Sequence, residues 1–533
     1  MPAMRVLLIY PNLDSPVGVN HGLAAISGVL KAAGHEPLLL HVNEKLFDVP
    51  SDAQLIERVR ALNPGLVGYS VMSQQYAWAC HAAGVLREAF PELPQIVGGV
   101  HCTMVPDEVV AEAHFDAVAV GEAELSLREF VDRLAAGEDV SGVANFRFPP
   151  RSRWNQRLTP ITNPVAPFPD LASLPPKDYA LFDMPRIVRA KNGWQGVLTS
   201  RGCPYKCTYC FNREIVERYQ EDGATETGKD YLRHYPVERV IDELRGLKAA
   251  HPEIDTWIFD DDLFTLDRRY VEAFCAAYRE SELEQPFVVN AHVQVFDDRM
   301  AQHLAEAGCR IVKFGLESGS ARVRKEVLWR YMSNAKILRA FQAAHDQGIH
   351  TSAFVMFGLP TETREELLET LQLIAESEMG RFRWAMFFPF PGTAGYRIAD
   401  ELNLIDRERM GELGNYFDGT CLEFTPELEL FLAKLGRVAH WWVNARSPWP
   451  CAPIYQKLVD EVEGWDRATF LRERASLRER DRELSEQLMK QGVRHYSLRY
   501  THVMGVDSEF VLRERDRLRN QPLYVPAGYT LDD

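Results

Sequence analysis

Short apolar runs alternate with amphipathic segments of helical length along the first 140 residues. The apolar runs, which indicate buried strands, are 5–10, 37–41, 66–72, 95–100 and 117–120. The segments with helical spacing between and after them are 22–33, 52–62, 76–89, 106–113 and 124–134. Alternation of this kind predicts a doubly wound α/β domain of the flavodoxin type, which binds ligands at the carboxyl ends of its parallel strands.

A second alternation begins after a proline-rich stretch. Its apolar runs are 196–199, 256–259, 287–290, 311–316, 351–357 and 383–389, each followed by a helix-length segment. Six such units predict a partial (β/α)6 barrel rather than a closed one of eight. The pattern therefore divides the chain into an α/β domain at 1–140, a linker at 141–190, a partial barrel at 191–397 and a mainly helical region at 398–533, which we expect to shape the substrate site.

Composition narrows the classes of function. The 533 residues are 46% hydrophobic, enough for several cores, and the longest apolar runs are far shorter than the roughly 20 residues of a spanning helix. A net charge of −16 disfavours a nucleic-acid track, because phosphate binding needs surplus Lys and Arg. Nine scattered cysteines indicate a reducing compartment. We expect a cytoplasmic protein without a membrane span, with a small molecule or peptide as its substrate or ligand.

Three cysteines form the one dense cluster of the chain. The segment "LTSRGCPYKCTYCFN" places Cys203, Cys207 and Cys210 in a C-x3-C-x2-C spacing just after the first strand of the second alternation. Soft thiolate ligands select iron-sulfur clusters, zinc or copper(I). A structural zinc site would add a fourth Cys or His nearby, and the segment that follows has none. The motif therefore predicts a metal centre with an open coordination position.

The spacing, the preceding "SRGCP" and the aromatic Tyr209 before the third cysteine resemble the radical S-adenosylmethionine (SAM) superfamily. The resemblance implies that Cys203, Cys207 and Cys210 hold a [4Fe-4S] cluster whose fourth iron binds SAM. It implies reductive cleavage of SAM to a 5′-deoxyadenosyl radical, with the electron supplied by a reductant of the flavodoxin or ferredoxin type. The sequence identifies no further catalytic residue.

Further segments resemble the SAM-binding parts of that family, namely "WIFDDDLFTL", "KFGLESGS" and "FVMFGLPTET". They follow or end the second, fourth and fifth strands of the predicted barrel. Acidic side chains there could pair with the SAM ammonium or ribose, and a glycine lets backbone approach adenine. The resemblance assigns to SAM the residues Tyr209, Asp260, Asp261, Glu317, Ser318 and Gly358.

A doubly wound domain before a radical SAM barrel resembles the cobalamin-binding subfamily. The resemblance rests on "RVLLIYPN", "VGYSVMS", "IVGGVHCT" and "AVAVGEAE", and covers roughly residues 1 to 400. It implies cobalamin as a cofactor, with glycines admitting the ligand and hydroxyls facing its nucleotide tail. The residues that it assigns to cobalamin are Pro11, Asn12, Ser70, Ser73, Gly98, Gly99, Val100, Gly121 and Glu122.

One departure concerns cobalt. Cobalamin domains of the mutase type carry D-x-H-x-x-G, whereas the loop here reads "PNLDSPVGVNHGLAA", with Asp14 and His21 seven residues apart. We therefore predict no histidine ligand to cobalt.

The resemblance leaves three functions open. The first is a C-methyltransferase that moves a methyl group from methylcobalamin to a substrate carbon radical. The second is a cyclase or rearrangement enzyme with the same two cofactors, like the anaerobic cyclase of bacteriochlorophyll synthesis. The third, methylthiolation, is disfavoured because residues 1–140 contain only Cys80 and Cys102 and the tail is mixed in charge.

Overall fold

A computed structural model describes residues 2–112, 114–413 and 419–498, and the backbone of 504–507. The described residues fall into two compact units, taken separately below. The first unit comprises those within Met1–Tyr205, Cys210–Ile254 and Phe390–Thr393, and the second those within Lys206–Tyr209, Asp255–Pro389 and Ala394–Asp533.

A sheet of seven strands organises the first unit. Its strands are β1 Arg5–Pro11, β2 Glu36–Val42, β3 Leu66–Ser70, β4 Gln95–Gly98, β5 Ala117–Ala119, β6 Phe146–Phe148 and β7 Ile161–Thr162. Their order is β2-β1-β3-β4-β5-β6-β7, with β1 to β5 parallel and β6 and β7 antiparallel. The parallel part has the flavodoxin-like order 2-1-3-4-5 that the alternation predicts.

Helices connect these strands and cover their apolar side chains. They are α1 His21–Ala32, α2 Asp52–Leu62, α3 Tyr76–Ala89, α4 Val100–Met104, α5 Pro106–Ala111 and α6 Glu124–Ala136. Side-chain caps fix where they begin: Asn20 caps α1, and Ser51 with Gln54 forms a capping box on α2. The parallel sheet and its helices confirm the predicted α/β fold.

The segment 141–190, predicted as a linker, contains regular structure. β6 and β7 extend the first sheet, because Phe146 and Phe148 are buried and the Phe146 ring stacks on Phe130 of α6 at 4.5 Å. The short helix α7 Met184–Ala190 closes the segment. Alternation over three residues is too short to separate a strand from a loop by periodicity alone.

The rest of the first unit surrounds the cysteine motif in sequence. Its elements are β8 Trp194–Val197, β9 Ser200–Arg201, α8 Phe211–Glu221, β10 Arg233–His234 and α9 Val237–Ala250. β8 is the first strand of the predicted barrel, and β9 pairs antiparallel with β10.

Parallel strands also organise the second unit. They are β11 Thr256–Phe259, β12 Phe287–Ala291, β13 Cys309–Glu317, β14 His350–Phe357 and β15 Arg381–Met386, paired in chain order. Each strand except the last leads to a helix before the next one. This half-barrel confirms the predicted fold of the region.

The helices of the second unit include those between its strands and a helical C-terminal region. They are α10 Arg268–Glu280, α11 Asp298–Glu306, α12 Asn334–Asp346, α13 Arg364–Ser377, α14 Ala394–Glu401, α15 Arg407–Glu412, α16 Pro426–Arg446, α17 Ala452–Glu463, α18 Arg467–Glu473 and α19 Leu477–Lys490. A π-helical segment, Val323–Val327, follows β13. Nothing in the described ranges combines the length and apolarity that a bilayer-spanning helix needs.

The C-terminal region differs from the helical prediction in one respect. It returns to the sheet with two short strands, β16 Tyr496–Leu498 and β17 Met504–Asp507, and β17 pairs antiparallel with β15. Buried Trp441 and Trp442 belong to the core, and Trp449 is nearly buried. Tyr416, another aromatic residue of this region, lies outside the described residues.

Candidate functional site

A cavity of about 440 Å³ opens in the first unit where β1, β3, β4 and β5 end. Most of its lining surface is apolar, and small residues occupy the strand ends. The residues predicted to contact cobalamin that line it are Pro11, Ser70, Gly98, Gly99, Val100, Gly121 and Glu122. The structure thus brings these residues together, and their contact with cobalamin stays a prediction.

Gly99 shapes the edge of this cavity. Its φ is +105°, and a Cβ on it would lie 2.5 Å from the Val71 carbonyl oxygen. The backbone of the β4 loop therefore passes against the β3 loop without a side chain between them. Because no side chain stands between the two loops, the backbone at the strand ends is accessible from the cavity. A large ligand can therefore contact that backbone directly.

Asn12 and Ser73 do not line the cavity. Asn12 is buried and its Nδ2 donates to the Pro16 carbonyl at 3.2 Å. Ser73 Oγ lies 3.1 Å from Nδ1 of buried His101, whose pKa burial lowers to about 4. Both side chains form hydrogen bonds within the loops that follow the strands.

Sequence reasoning missed several lining residues. Asn20, which caps α1, also donates from Nδ2 to Ser70 Oγ at 3.3 Å and so orients that hydroxyl. Tyr10, Arg201 and Phe211 line the cavity as well. Arg201 stands in the "SRGCP" segment quoted for the cysteine motif, and nothing local in the sequence connects it with the first sheet.

A cluster of partly buried charged residues borders the cavity. Arg201 Nη1 lies 2.6 Å from Glu122 Oε2, and Arg201 Nη2 lies 2.6 Å from Glu124 Oε1. Arg233 also pairs with Glu122, through both of its terminal nitrogens. Burial alone would raise the pKa of Glu122, but Arg201 and Arg233 outweigh it and lower that pKa below its ordinary value. Glu122 is therefore ionised and held in place at the cavity wall.

The cavity fits the expected cofactor in chemistry. Apolar walls and bare backbone suit a flat ring system, and a fixed hydroxyl such as Ser70 suits polar groups on a tail. Ligands of doubly wound sheets bind at these strand ends. The first unit therefore offers a site suited to cobalamin.

Cys203 and Cys210 belong to the first unit and are partly exposed thiols outside any disulfide. Helix α8 begins directly after Cys210, and buried Asn212 donates from Nδ2 to Cys210 Sγ at 3.5 Å. The positive end of a helix and a donated hydrogen bond both favour a thiolate. Both features suit a metal ligand.

Cys207 belongs to the second unit and is buried. The next residue, Thr208, fixes its backbone: Thr208 N donates to the Leu328 carbonyl at 3.2 Å and Thr208 Oγ1 to the Val327 carbonyl at 2.7 Å. Arg330 Nη1 lies 3.3 Å from Cys207 Sγ and donates to it. In the sequence, the spacing of the three cysteines without a fourth nearby predicts a cluster that leaves one iron open.

Two residues predicted to bind SAM meet beside Cys207. Tyr209 Oη donates to Glu317 Oε1 at 2.9 Å and accepts from Arg330 Nη1 at 3.2 Å. Burial raises the pKa of Glu317, and Arg330 and Tyr209 offset part of that rise. Within this cluster Glu317 stabilises the tyrosine and the arginine.

The other residues predicted to bind SAM are Asp260, Asp261, Ser318 and Gly358. Asp260 and Asp261 follow β11, Asp260 exposed and Asp261 buried. Ser318 Oγ lies 3.3 Å from Thr370 Oγ1, so its hydroxyl has an internal partner. Gly358 follows β14 with φ +73° and donates its N–H to Glu362. Their roles toward SAM stay predictions.

Two family models match segments of this chain. Residues 16–131 match a B12 binding domain and residues 197–374 match the radical SAM superfamily. An uncharacterized methyltransferase of Pyrococcus horikoshii is 26% identical over 76% of this chain and 85% of its own length. The anaerobic magnesium-protoporphyrin IX monomethyl ester cyclase of Rubrivivax gelatinosus is 26% identical over 76% of this chain and 72% of its own.

A solved structure shares the fold. It is the radical S-adenosylmethionine methyltransferase TsrM from Kitasatospora setae, with cobalamin and a [4Fe-4S] cluster bound. The TM-score is 0.59 at 20% identity, and the match covers 75% of this chain and 78% of TsrM. The chain is therefore similar to TsrM in fold.

Proposed function

Because this chain is a cobalamin-dependent radical SAM enzyme, joining a B12-binding domain to a radical SAM domain, we propose that it is a C-methyltransferase. The [4Fe-4S] cluster with SAM supplies a carbon-centred radical when both are bound, and cobalamin supplies a methyl group. One chain thus has sites suited to a radical generator and to a methyl carrier. That pairing is the observation that supports the proposal.

The residues of the chain would divide the work of holding these groups. Cys203, Cys207 and Cys210 would bind the cluster, while the cavity edged by Gly99 would bind cobalamin. The Arg201 and Glu122 ion pair would keep the cavity wall rigid, since both side chains are only partly exposed and carry opposite charges. Preorganised walls of this kind exclude water from a reactive centre.

A substrate and an electron donor complete the proposal. The net charge of −16 favours a small molecule or peptide over a nucleic acid. Radical formation consumes one electron for each SAM cleaved, and the three-cysteine motif supports one cluster. We propose that an external protein of the flavodoxin or ferredoxin type donates this electron.

The products derived from SAM test the proposal without knowledge of the substrate. Protein reconstituted anaerobically with iron, sulfide and cobalamin is given SAM and dithionite, and nucleoside products are counted by mass spectrometry. We expect both S-adenosylhomocysteine and 5′-deoxyadenosine. Omission of cobalamin should remove S-adenosylhomocysteine only, and changing Cys203, Cys207 or Cys210 to Ala should remove 5′-deoxyadenosine.

A cyclase is the second candidate, favoured by the similarity over 76% of this chain to the Rubrivivax enzyme. A cyclase with these cofactors has no need to transfer the methyl group of SAM. Formation of 5′-deoxyadenosine with no S-adenosylhomocysteine in the cobalamin-loaded protein would therefore contradict methyl transfer and favour the cyclase.

A further inference from the structure

A buried guanidinium lies against the cysteine loop of the second unit. Arg330 is 8% exposed, and its Nη1 lies 3.3 Å from Cys207 Sγ. The same nitrogen lies 3.2 Å from Tyr209 Oη, while Nη2 donates to the Gly315 carbonyl at 2.6 Å. The cation therefore has three partners, and one of them is a thiol predicted to bind iron.

The surrounding groups hold this guanidinium in one orientation. Tyr209 accepts a hydrogen bond from Arg330 and donates one to Glu317. A chain of hydrogen bonds therefore connects the guanidinium to a buried carboxyl group. Gly315 leaves space for the side chains of Glu317 and Arg330. A Cβ at this position would lie 2.5 Å from Glu317 Oε1 and 3.1 Å from Arg330 Nη2. A planar guanidinium bound at both ends cannot rotate away from Cys207 without breaking these bonds.

The segment that carries Arg330 is anchored as well. The π-helical turn Val323–Val327 ends just before it, and Thr208 of the cysteine loop donates to the Val327 carbonyl at 2.7 Å. Within the turn, buried Arg324 donates to the Ser318 carbonyl at 2.7 Å and to the Met332 carbonyl at 3.1 Å. The hydrogen bonds of Arg324 thus stabilise the loop that contains Arg330. The hydrogen bond from Thr208 connects the cysteine loop to the same segment.

Hydrogen bonds to ligating sulfurs and nearby charge are what a protein uses to set the reduction potential of an iron-sulfur cluster. A cation that donates to a thiolate favours the reduced state, since reduction adds one negative charge. We propose that Arg330 is a positioning residue that raises the reduction potential of the cluster held by Cys203, Cys207 and Cys210. It would do so through its hydrogen bond to Cys207 Sγ.

This inference rests on the radical SAM assignment and not on methyl transfer. The electron comes from the external reductant, no covalent bond forms or breaks, and Arg330 keeps its proton throughout. A potential measured on the cluster therefore reports on Arg330 whichever products the enzyme forms. Failure to find S-adenosylhomocysteine would leave this inference standing, and an unchanged potential would leave methyl transfer standing.

The test is a redox titration of the full chain, reconstituted with cluster and cobalamin and followed by electron paramagnetic resonance. R330Q removes the charge and the fixed donor. We expect the equilibrium constant for reduction to fall about tenfold, which is about 59 mV for one electron. R330K keeps the charge but loses the fork geometry, so we expect a fall of about threefold. K325Q removes an equal charge from an exposed position of the same turn and should leave the potential unchanged.

Iron content determines which variant is informative. If R330Q holds wild-type iron and its midpoint potential equals that of the wild type, the inference is wrong. If R330Q fails to hold the cluster, the midpoint potential of R330K decides, and a wild-type value there overturns the inference. A fall in K325Q equal to that in R330Q would also overturn it, because the effect would then be one of general charge.

Discussion

Replacement of Gly99 by Ala tests whether the cavity of the first unit depends on a backbone that glycine alone adopts readily. The φ of Gly99 is +105°, where an alanine costs about 1–3 kcal/mol. Its Cβ would lie 2.5 Å from Val71 O and 2.7 Å from Val71 N. These backbone atoms cannot swing aside, because Val71 N donates to the Gly98 carbonyl at 2.9 Å and Val71 O accepts from His101 N at 3.3 Å.

The steric conflict adds to the backbone strain. Overpacking against fixed atoms costs about 1–3 kcal/mol, so we expect G99A to lower the free energy of unfolding by about 2–6 kcal/mol in total. Gly84 provides the matched control. It lies inside α3, and a Cβ on it would have no neighbour within 4 Å. G84A should therefore stabilise the protein, by about 0.5–1 kcal/mol.

The assay is chemical denaturation followed by circular dichroism, with and without added cobalamin. A chain of two compact units need not unfold in one step, so the transition to compare is the one that cobalamin moves to higher denaturant. Cobalamin affinity, measured by titration, should fall at least tenfold in G99A and stay unchanged in G84A. A G99A protein within about 0.5 kcal/mol of the wild type, or a G84A protein equally damaged, would refute the steric reasoning.

Three further changes test other parts of the structure. C207A should lose most cluster iron, measured by chemical assay, because one of three thiolate ligands is gone. Burial raises the pKa of Glu362 to about 8 from 4.5, so its stabilising effect is complete below pH 4.5 and lost as pH rises towards 8. E362Q should flatten that decline in melting temperature. D481N should destabilise by about 3 kcal/mol in thermal denaturation, because buried Asp481 accepts from His440 at 2.6 Å and from Trp441 at 2.7 Å.

Local pattern predicted the parallel strands to within about two residues at most ends. The predicted run 5–10 is β1 Arg5–Pro11 and the predicted run 351–357 is β14 His350–Phe357. Such runs are buried on both faces and bounded by polar or turn residues, so composition alone marks them. The short strands β6, β7, β16 and β17 escaped prediction, because their few residues gain a strand conformation only from their partners.

The candidate site shows the same limit. The cysteine spacing and the double glycine are local signals, and both were found in the sequence. Arg201 and Arg233 were missed as partners of Glu122, from which they are separated by 79 and 111 residues. Arg330 was missed for the same reason, since 123 residues separate it from Cys207. Ion pairs over such distances depend on the folded topology, which no local period encodes.

The donors at two of the cysteines differ in a way that bears on how the cluster responds to charge. In the first unit, Cys210 Sγ accepts from the neutral amide of Asn212 at 3.5 Å. In the second unit, Cys207 Sγ accepts from the buried guanidinium of Arg330 at 3.3 Å. A charged donor in a buried setting acts more strongly on an added electron than a neutral one. On the proposal that Arg330 sets the reduction potential, we therefore expect loss of the Arg330 donor to shift the potential more than loss of the Asn212 donor.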